Sequence, residues 1–272
     1  MTTFRTPFQC HPPLRPLAAA LGMALLSPAS TATSVWIGDD DAHLGRVDLG
    51  SGMVTMIGDM GVPMTDIAFD AQGKLFGVTI ESALFRIDAG NGIARIVGKL
   101  GFSGINSLVF AADGRLFGAS DRLYTIDPAT GQASAVGNAG TPYQSSGDLA
   151  FVNGVLYLSS RSVGGDMLLR LNTSTGGADV VGSIGIGGVY GLATDNSASL
   201  YAVAHTGIYR LNPVTAQATQ MLDYGGRGLG NAYGTTFITE ALPAAVVPEL
   251  PPLPMMLAGV GCLWWLNRRR AR

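Results

Sequence analysis

Five polar side chains along the middle of the sequence could together form a binding or catalytic site. They are Asp66, Asn106, Asp148, Tyr190 and Tyr233. Carboxylates and amides suit a cation or the hydroxyl groups of a sugar, and tyrosine rings can stack on the faces of pyranose rings. Two carboxylates can also act as the general acid and the general base of a glycoside hydrolase. The alternative is that these residues are polar only because each of them follows a turn, at the start of a strand, where polar residues are common.

Two histidines are the next candidates for chemistry. His43 follows the aspartate run 39–41, and His205 lies at the corresponding place of the last repeat, so that together they could hold a metal ion. The alternative is two solvated loop histidines beside a solvated acidic run. The sequence has no Gly-x-Ser-x-Gly elbow, no His-Glu-x-x-His pair and no phosphate-binding loop. We therefore predict neither a metal nor a cofactor, and we favour a binding protein over an enzyme.

The middle of the sequence repeats with a period of about 40 residues. Three independent series share this period: apolar segments that begin at 66, 107, 148, 191 and 234, apolar segments that begin at 35, 75, 116, 156 and 200, and Asp or Asn turns that begin at 48, 88, 127, 172 and 212. Each unit contains four short apolar runs separated by turns such as Asn153-Gly154. Four strands in about 40 residues are typical of a β-propeller blade.

The phase of the repeat predicts how the ring of blades closes. The chain enters the repeat at its second strand, Val35 to Gly38, and leaves it with a lone inner strand, Tyr233 to Thr239. Pairing these two segments in one sheet removes the exposed edge that an open sheet presents. We therefore predict an all-β, five-bladed β-propeller over residues 33–240, closed by a composite blade. On this fold the five polar residues surround the mouth of the central channel, where the inner strands begin.

Residues 1–32 have the organisation of a secretory signal peptide. Two arginines precede the apolar run Leu17 to Leu26, and Ser30 and Ala32 provide the small residues of a cleavage site. An amphipathic helix of the mature fold is the alternative, which the uniformly apolar run disfavours. The segment predicts export.

The end of the sequence combines a short motif, an apolar run and an arginine cluster. A linker at 241–246 leads into Val247-Pro248-Glu249, and an apolar run extends from Leu253 to Leu266. The positive-inside rule keeps the terminal arginines in the cytoplasm; they are Arg268, Arg269, Arg270 and Arg272. Residues 247–272 resemble the PEP-CTERM sorting domain of exported bacterial proteins, with Leu250 where that family has proline. An ordinary single-pass anchor is the alternative.

The PEP-CTERM resemblance implies a destination and a set of partners. It implies a Gram-negative host that makes exopolysaccharide, anchoring in the inner membrane by a hydrophobic sorting helix, and removal of the tail by an exosortase. The expected partners are the secretion machinery, the exosortase, the inner membrane before processing, and an exopolysaccharide or another surface glycan. The processed protein is expected at the cell surface or in the extracellular matrix.

The composition agrees with an exported β-protein. Glycine accounts for 38 of 272 residues, 47% are hydrophobic and only 13% are charged, which argues against disorder and against long surface helices. Residues 33–246 contain 11 Lys and Arg, 18 Asp and Glu and no cysteine, and therefore carry a net charge of −7. This acidic balance excludes the basic class of nucleic-acid-binding proteins.

The repeat resembles the NHL-type propeller repeats of bacterial proteins. The matching segments are Gly191-Leu192-Ala193 followed by Asp195, then Leu200-Tyr201, and in another unit the turn from Asp127 to Gly131. The resemblance supports the propeller and names no substrate. We expect a surface or matrix protein that uses the propeller as a binding or structural platform. Two alternatives remain open: a secreted polysaccharide hydrolase or lyase with Asp66 and Asp148 as acid and base, and a membrane-anchored periplasmic propeller in an envelope complex.

Overall fold

The computed structural model describes residues 34–137, 143–196 and 198–242. These residues form twenty strands, arranged as five sheets of four antiparallel strands each. Within these ranges, no helix is long and apolar enough to cross a membrane. The predicted signal peptide, sorting segment and most of the linker lie outside the described residues.

Each sheet is one blade, with its strands ordered outwards from the central channel. The first blade contains β1 (Ser34–Asp39), β2 (His43–Asp48) and β3 (Val54–Asp59), and the second contains β4 (Asp66–Phe69), β5 (Leu75–Val78), β6 (Ala83–Ile87) and β7 (Ala94–Lys99). The third contains β8 (Ser107–Phe110), β9 (Leu116–Ala119), β10 (Leu123–Ile126) and β11 (Ala133–Ala135). The fourth contains β12 (Ser145–Val152), β13 (Val155–Ser160), β14 (Met167–Leu171) and β15 (Ala178–Ser183). The fifth contains β16 (Val189–Thr194), β17 (Leu200–Ala204), β18 (Gly207–Leu211) and β19 (Ala218–Asp223), and the last strand is β20 (Ala232–Thr236).

The ring closes through a composite blade, as predicted. Strand β20 pairs with β1, which gives the first blade the order β20-β1-β2-β3. In this register Thr236 faces Trp36 and Thr235 faces Ile37. The predicted all-β, five-bladed propeller is therefore confirmed, and closure leaves no inner strand without neighbours around the channel.

Apolar side chains hold neighbouring blades together. The described residues contain five buried apolar clusters, one at each interface between adjacent blades. At four interfaces an aromatic ring of a second strand meets a phenylalanine in or directly after the next inner strand, with ring centroids 5.1 to 5.9 Å apart: Trp36 with Phe69, Phe76 with Phe110, Phe117 with Phe151, and Tyr201 with Phe237. Such pairs add about 0.5–1.5 kcal/mol to the energy of burial. The recurring phenylalanines therefore stabilise the ring.

In the first and second blades, a glycine in the outer strand lets the blade approach the next one closely. A Cβ atom added at Gly58 would lie 1.8 Å from the carbonyl oxygen of Asn91, and one added at Gly98 would lie 2.0 Å from that of Thr130. Both oxygens belong to the turn before the outer strand of the following blade. Since backbone atoms cannot move aside, only glycine permits this contact.

The interface between the fifth and first blades uses a different contact. Leu222, which faces Ile208 in β18, takes the place that Gly58 has opposite Leu44 in the first blade. Beyond β19, the Arg227 guanidinium donates a hydrogen bond to the Gly52 carbonyl oxygen of the first blade. The interface that joins the two ends of the propeller therefore has its own side-chain connection.

The chain covers the end of the channel opposite the mouth after β20. This strand ends at Thr236, earlier than the predicted Thr239, because the Glu240 carboxylate accepts hydrogen bonds from the Phe237 amide and the Thr236 hydroxyl. Glu240 also accepts a bond from the Thr194 amide of the fifth blade, and Ala241 packs between the second and third blades. Ser34 and Leu242, where the described propeller begins and ends, both lie on this face.

The glycine contact between blades is testable by a single substitution. We expect Gly98→Ala to lower the free energy of unfolding by about 1–3 kcal/mol, because the new methyl group collides with the Thr130 carbonyl. Urea unfolding measures this loss. Gly187→Ala is the matched control, since its Cβ would meet only Gly165 at 3.9 Å; equal stability of the two variants would contradict the proposed contact.

Candidate functional site

The site begins with the inner strands, whose channel-facing edges have no further strand to pair with. Each therefore presents backbone amides that need acceptors in the channel, because a buried N–H without a partner is costly. At the level where these strands begin, the repeat places two aspartates and three small residues: Asp66, Ser107, Asp148, Gly191 and Gly234. A Cβ atom at Gly234 would lie 2.4 Å from the Cα of Asp66, so the channel is narrow here. Only the two carboxyl groups fit into its centre.

Asp66 links the second blade to the third. Its Oδ1 atom accepts a hydrogen bond of 2.7 Å from the Ile67 amide of its own strand. Its Oδ2 atom accepts one of 2.5 Å from the Leu108 amide of β8. The side chain is 0% exposed, so both bonds are shielded from bulk solvent.

Asp148 links the remaining blades. Its Oδ1 atom accepts a hydrogen bond of 2.6 Å from the Leu149 amide of its own strand. Its Oδ2 atom accepts bonds from the Leu192 amide at 2.6 Å and from the Thr235 hydroxyl at 3.0 Å. Together the two aspartates contact the inner strands of all five blades, and we call them the carboxyl pin.

Burial and mutual repulsion keep a proton on the carboxyl pin. Burial, followed by the charge of Asp148, raises the pKa of Asp66 well above its usual value. Burial also raises the pKa of Asp148, while hydrogen bonds from Asp66 and from three further donors favour its ionised form. Because the pKa of both carboxyl groups is raised, the pair retains a proton between Asp66 and Asp148.

The structure divides the five predicted site residues between two levels. Asp66 and Asp148 are fully buried in the channel, whereas Asn106, Tyr190 and Tyr233 line a cavity at its mouth. The offset arises because these three residues come one position before the level of the carboxyl pin in the repeat. The two aspartates form the layer beneath the cavity.

The mouth cavity has a volume of about 460 Å³ and combines aromatic, polar and apolar walls. The rings of Tyr190 and Tyr233 meet edge to face, with centroids 5.9 Å apart and an angle of 86° between their planes. An apolar wall is formed by Val62, Pro63 and Ile80.

Hydrogen-bonding groups complete the cavity. Ser146 and Asn106 contribute polar atoms, and the exposed side chains of Glu81 and Arg161 stand at the rim. The Asn106 amide group donates to the Ser145 carbonyl oxygen at 3.3 Å, which fixes the orientation of the amide. Its Oδ1 atom is buried without a donor among the described residues.

The loop residues that line the cavity were not predicted from the sequence. Ile80, Glu81 and Arg161 follow second strands, and Val62 and Pro63 precede an inner strand, so the phase of the repeat places all of them on the mouth face. Which loop residues turn inward depends on loop lengths that differ between blades, and these carry no repeat signal.

The two histidine loops serve a structural connection. Asp39 is fully buried, and its carboxylate accepts hydrogen bonds from the amides of Asp41, His43 and Gly230. The His43 Nδ1 atom lies 3.1 Å from the same carboxylate. The segment that leads into β20 passes between both loops, since Ala232 donates a backbone hydrogen bond to His205. Among the described residues, no group of three potential ligands could hold a metal ion.

Known proteins resemble this chain in fold. No protein family model and no curated protein sequence matches it. A gluconolactonase of Xanthomonas campestris has 18% identity and a TM-score of 0.48, with 75% of this chain and 79% of that chain covered. A chain of the nidogen/laminin complex has 15% identity and a TM-score of 0.49, covering 78% and 87%. A symmetrical protein from work on de novo evolutionary emergence has 18% identity and a TM-score of 0.45, covering 74% and 93%.

The carboxyl pin predicts that stability falls as the pH rises. The folded state raises the pKa of both aspartates above the unfolded value of 3.8. Protonation therefore contributes its full stabilisation of the folded state below that pH. This stabilisation is lost as the pH rises through the folded value, and buried Glu240 adds a change of the same sign. Urea unfolding between about pH 4 and 9 should therefore show a decreasing free energy of unfolding.

A neutral side chain at position 66 distinguishes the contribution of the carboxyl pin to the pH dependence of stability from that of the other titratable groups. We expect Asp66→Asn to flatten the pH dependence, because an amide needs no proton to donate to Asp148. Asp113→Asn is the control, since Asp113 is an exposed aspartate whose pKa is lowered by its contact with Arg115. A slope that stays the same in Asp66→Asn would show that the pair does not share the proton.

Proposed function

We propose that this protein is an exported glycan-binding β-propeller that holds a neutral sugar unit in its mouth cavity and does not cleave it. The observation that carries the proposal is the combination of a tyrosine pair with the polar side chains of Asn106 and Ser146 in one cavity. Sugars present C–H faces and hydroxyl donors in alternation, which matches these two kinds of group.

The dimensions of the cavity support a small ligand. A volume of about 460 Å³ lies within the range of small-molecule sites and accommodates one or two sugar rings. The carboxyl pin closes the channel beneath, so a glycan reaches the cavity from the open face only. This geometry favours recognition of a chain end or a side branch.

The placement of the carboxyl groups supports binding rather than hydrolysis. Glycoside hydrolases present two carboxyl groups to the bond that they cleave. Asp66 and Asp148 have no exposed surface, and each of their oxygens accepts a backbone hydrogen bond. Among the described cavity residues, Glu81 is the single carboxylate. The hydrolase or lyase alternative therefore has less support than binding.

The address segments support export and sorting. The signal-peptide pattern of residues 1–32 and the PEP-CTERM-like tail at 247–272 favour export across the inner membrane, followed by exosortase processing. A cysteine-free propeller needs no disulfide formation after export. On this proposal the processed protein resides at the cell surface or in the exopolysaccharide matrix, and that matrix is a source of the bound sugar.

Substitution of a cavity tyrosine tests the binding proposal. A glycan array of neutral oligosaccharides identifies a ligand, and calorimetry then gives its Kd. We expect Tyr190→Ala to weaken binding about tenfold, which corresponds to roughly 1.4 kcal/mol of lost contact. Tyr209→Ala is the matched control, because Tyr209 is a half-buried tyrosine of β18 that does not line the cavity. Equal affinity of wild type and Tyr190→Ala would reject the cavity as the site.

Mass spectrometry of the protein exported by its host tests the sorting proposal. We expect a polypeptide that begins near residue 33 and lacks the apolar run and the arginines after Val247. Exported protein that still ends at Arg272 would contradict exosortase processing. Protein that keeps its tail and stays in the inner-membrane fraction would support the anchored alternative.

A further inference from the structure

The second blade carries a basic groove on the face opposite the mouth cavity. The groove has a volume of about 430 Å³ and lies between the β4–β5 hairpin and the β6–β7 turn. Three basic side chains line it: Lys74, Arg86 and Arg95. We call this feature the blade-2 groove.

Two arginines of the blade-2 groove lie directly across from each other. Arg86 in β6 pairs with Arg95 in β7 in the antiparallel register. Like charges at directly opposed positions destabilise a sheet. A bound anion removes this repulsion, and the pair is therefore the feature of the groove that points to a ligand.

The other blades avoid this arrangement at the same register. The residue opposite Arg46 is Thr55, and the residue opposite Arg210 is Thr219. In the fourth blade Arg170 faces Asp179, and the two side chains form an ion pair of 3.7 Å. The repeat therefore tolerates a neutral or acidic residue opposite this arginine. Among the four blades that have the arginine, only the second blade places another basic residue opposite it.

The basic groups of the groove are free to bind an anion. No carboxylate of the described residues lies within ion-pair distance of Lys74, Arg86 or Arg95. Asp88, which also lines the groove, uses its carboxylate to bind the Gly90 amide and the Asn91 side chain within its own turn. Arg86 lies over the ring of Phe76 at 4.9 Å, which holds its guanidinium in place.

We propose that the blade-2 groove binds the carboxylates of an acidic polysaccharide, such as a uronic-acid chain. Guanidinium groups recognise carboxylates through paired hydrogen bonds, and two opposed arginines can hold one carboxylate between them or one each on successive sugars. This site is separate from the mouth cavity and does not depend on the function proposed for it.

Charge favours a polyuronate over a nucleic acid as the occupant. A nucleic acid carries a phosphate at every nucleotide and needs an extended basic surface. Residues 33–246 carry a net charge of −7, which repels such a polyanion outside the groove itself. The described residues that line the groove include no aromatic ring on which a nucleic-acid base could stack, whereas the carboxylates of a polyuronate need only the pair of arginines.

Calorimetric titration of the propeller with trigalacturonate tests the proposal. We expect saturable binding that weakens with added salt, and little binding of the methyl-esterified trisaccharide, which has the same rings without the charges. Arg95→Thr should weaken the affinity about tenfold or more, because it leaves the single arginine that the first and fifth blades have. The same variant should unfold at a higher urea concentration than wild type, because it relieves the repulsion from Arg86.

Arg46→Thr is the matched control, since it also removes one arginine, from the position in the first blade that corresponds to Arg86 and faces Thr55. We expect its affinity for trigalacturonate to equal that of wild type within about twofold. Equal affinity of wild type and Arg95→Thr, equal binding of the methyl ester, or no binding of trigalacturonate would overturn the proposal. Tighter binding of a single-stranded oligonucleotide or of inorganic phosphate than of trigalacturonate would also overturn it, in favour of a phosphate site.

Discussion

The central constraint on this propeller is the need of five inner strands for hydrogen-bond acceptors in a channel that has no sixth strand. Two aspartates meet that need, since their four oxygens bind amides of four strands and a hydroxyl of the fifth. Because two carboxylates cannot share so narrow a space while both are charged, a retained proton becomes part of the fold. The layer that closes the channel thus also forms the floor of the candidate site.

The rest of the ring follows from repetition around this centre. Each blade packs aromatic or apolar side chains against its neighbour. Where the outer strand has a glycine, its backbone also contacts a turn of the following blade. The interface between the fifth and first blades departs from the repeat, with Leu222 and Arg227 in place of the glycine contact. That interface joins segments nearly two hundred residues apart, so that its formation requires closure of a long loop of chain.

The fold could be predicted from the sequence because its determinants repeat, whereas the site could be predicted only in part. Phe69, Phe110 and Phe151 recur at one position and identify the inner strands without any knowledge of contacts. Asn106 and Asp66 differ by one residue in register, and that offset separates an open cavity from a buried channel. The opposition of Arg86 and Arg95 likewise depends on strand register, in which the β-bulge of β7 takes part. The alignment of the repeats shows that Asn106 comes one position before the level of Asp66, but the period does not show that one level is buried and the other is open.

Both ends of the described propeller leave from the face that Glu240 covers, on the far side of the channel from Tyr190 and Tyr233. Ser34 and Leu242 therefore lie on the face of the propeller opposite the opening of the cavity. A support attached at either of these two residues would not obstruct the cavity. The placement of its two ends thus makes the propeller suited to display from a surface.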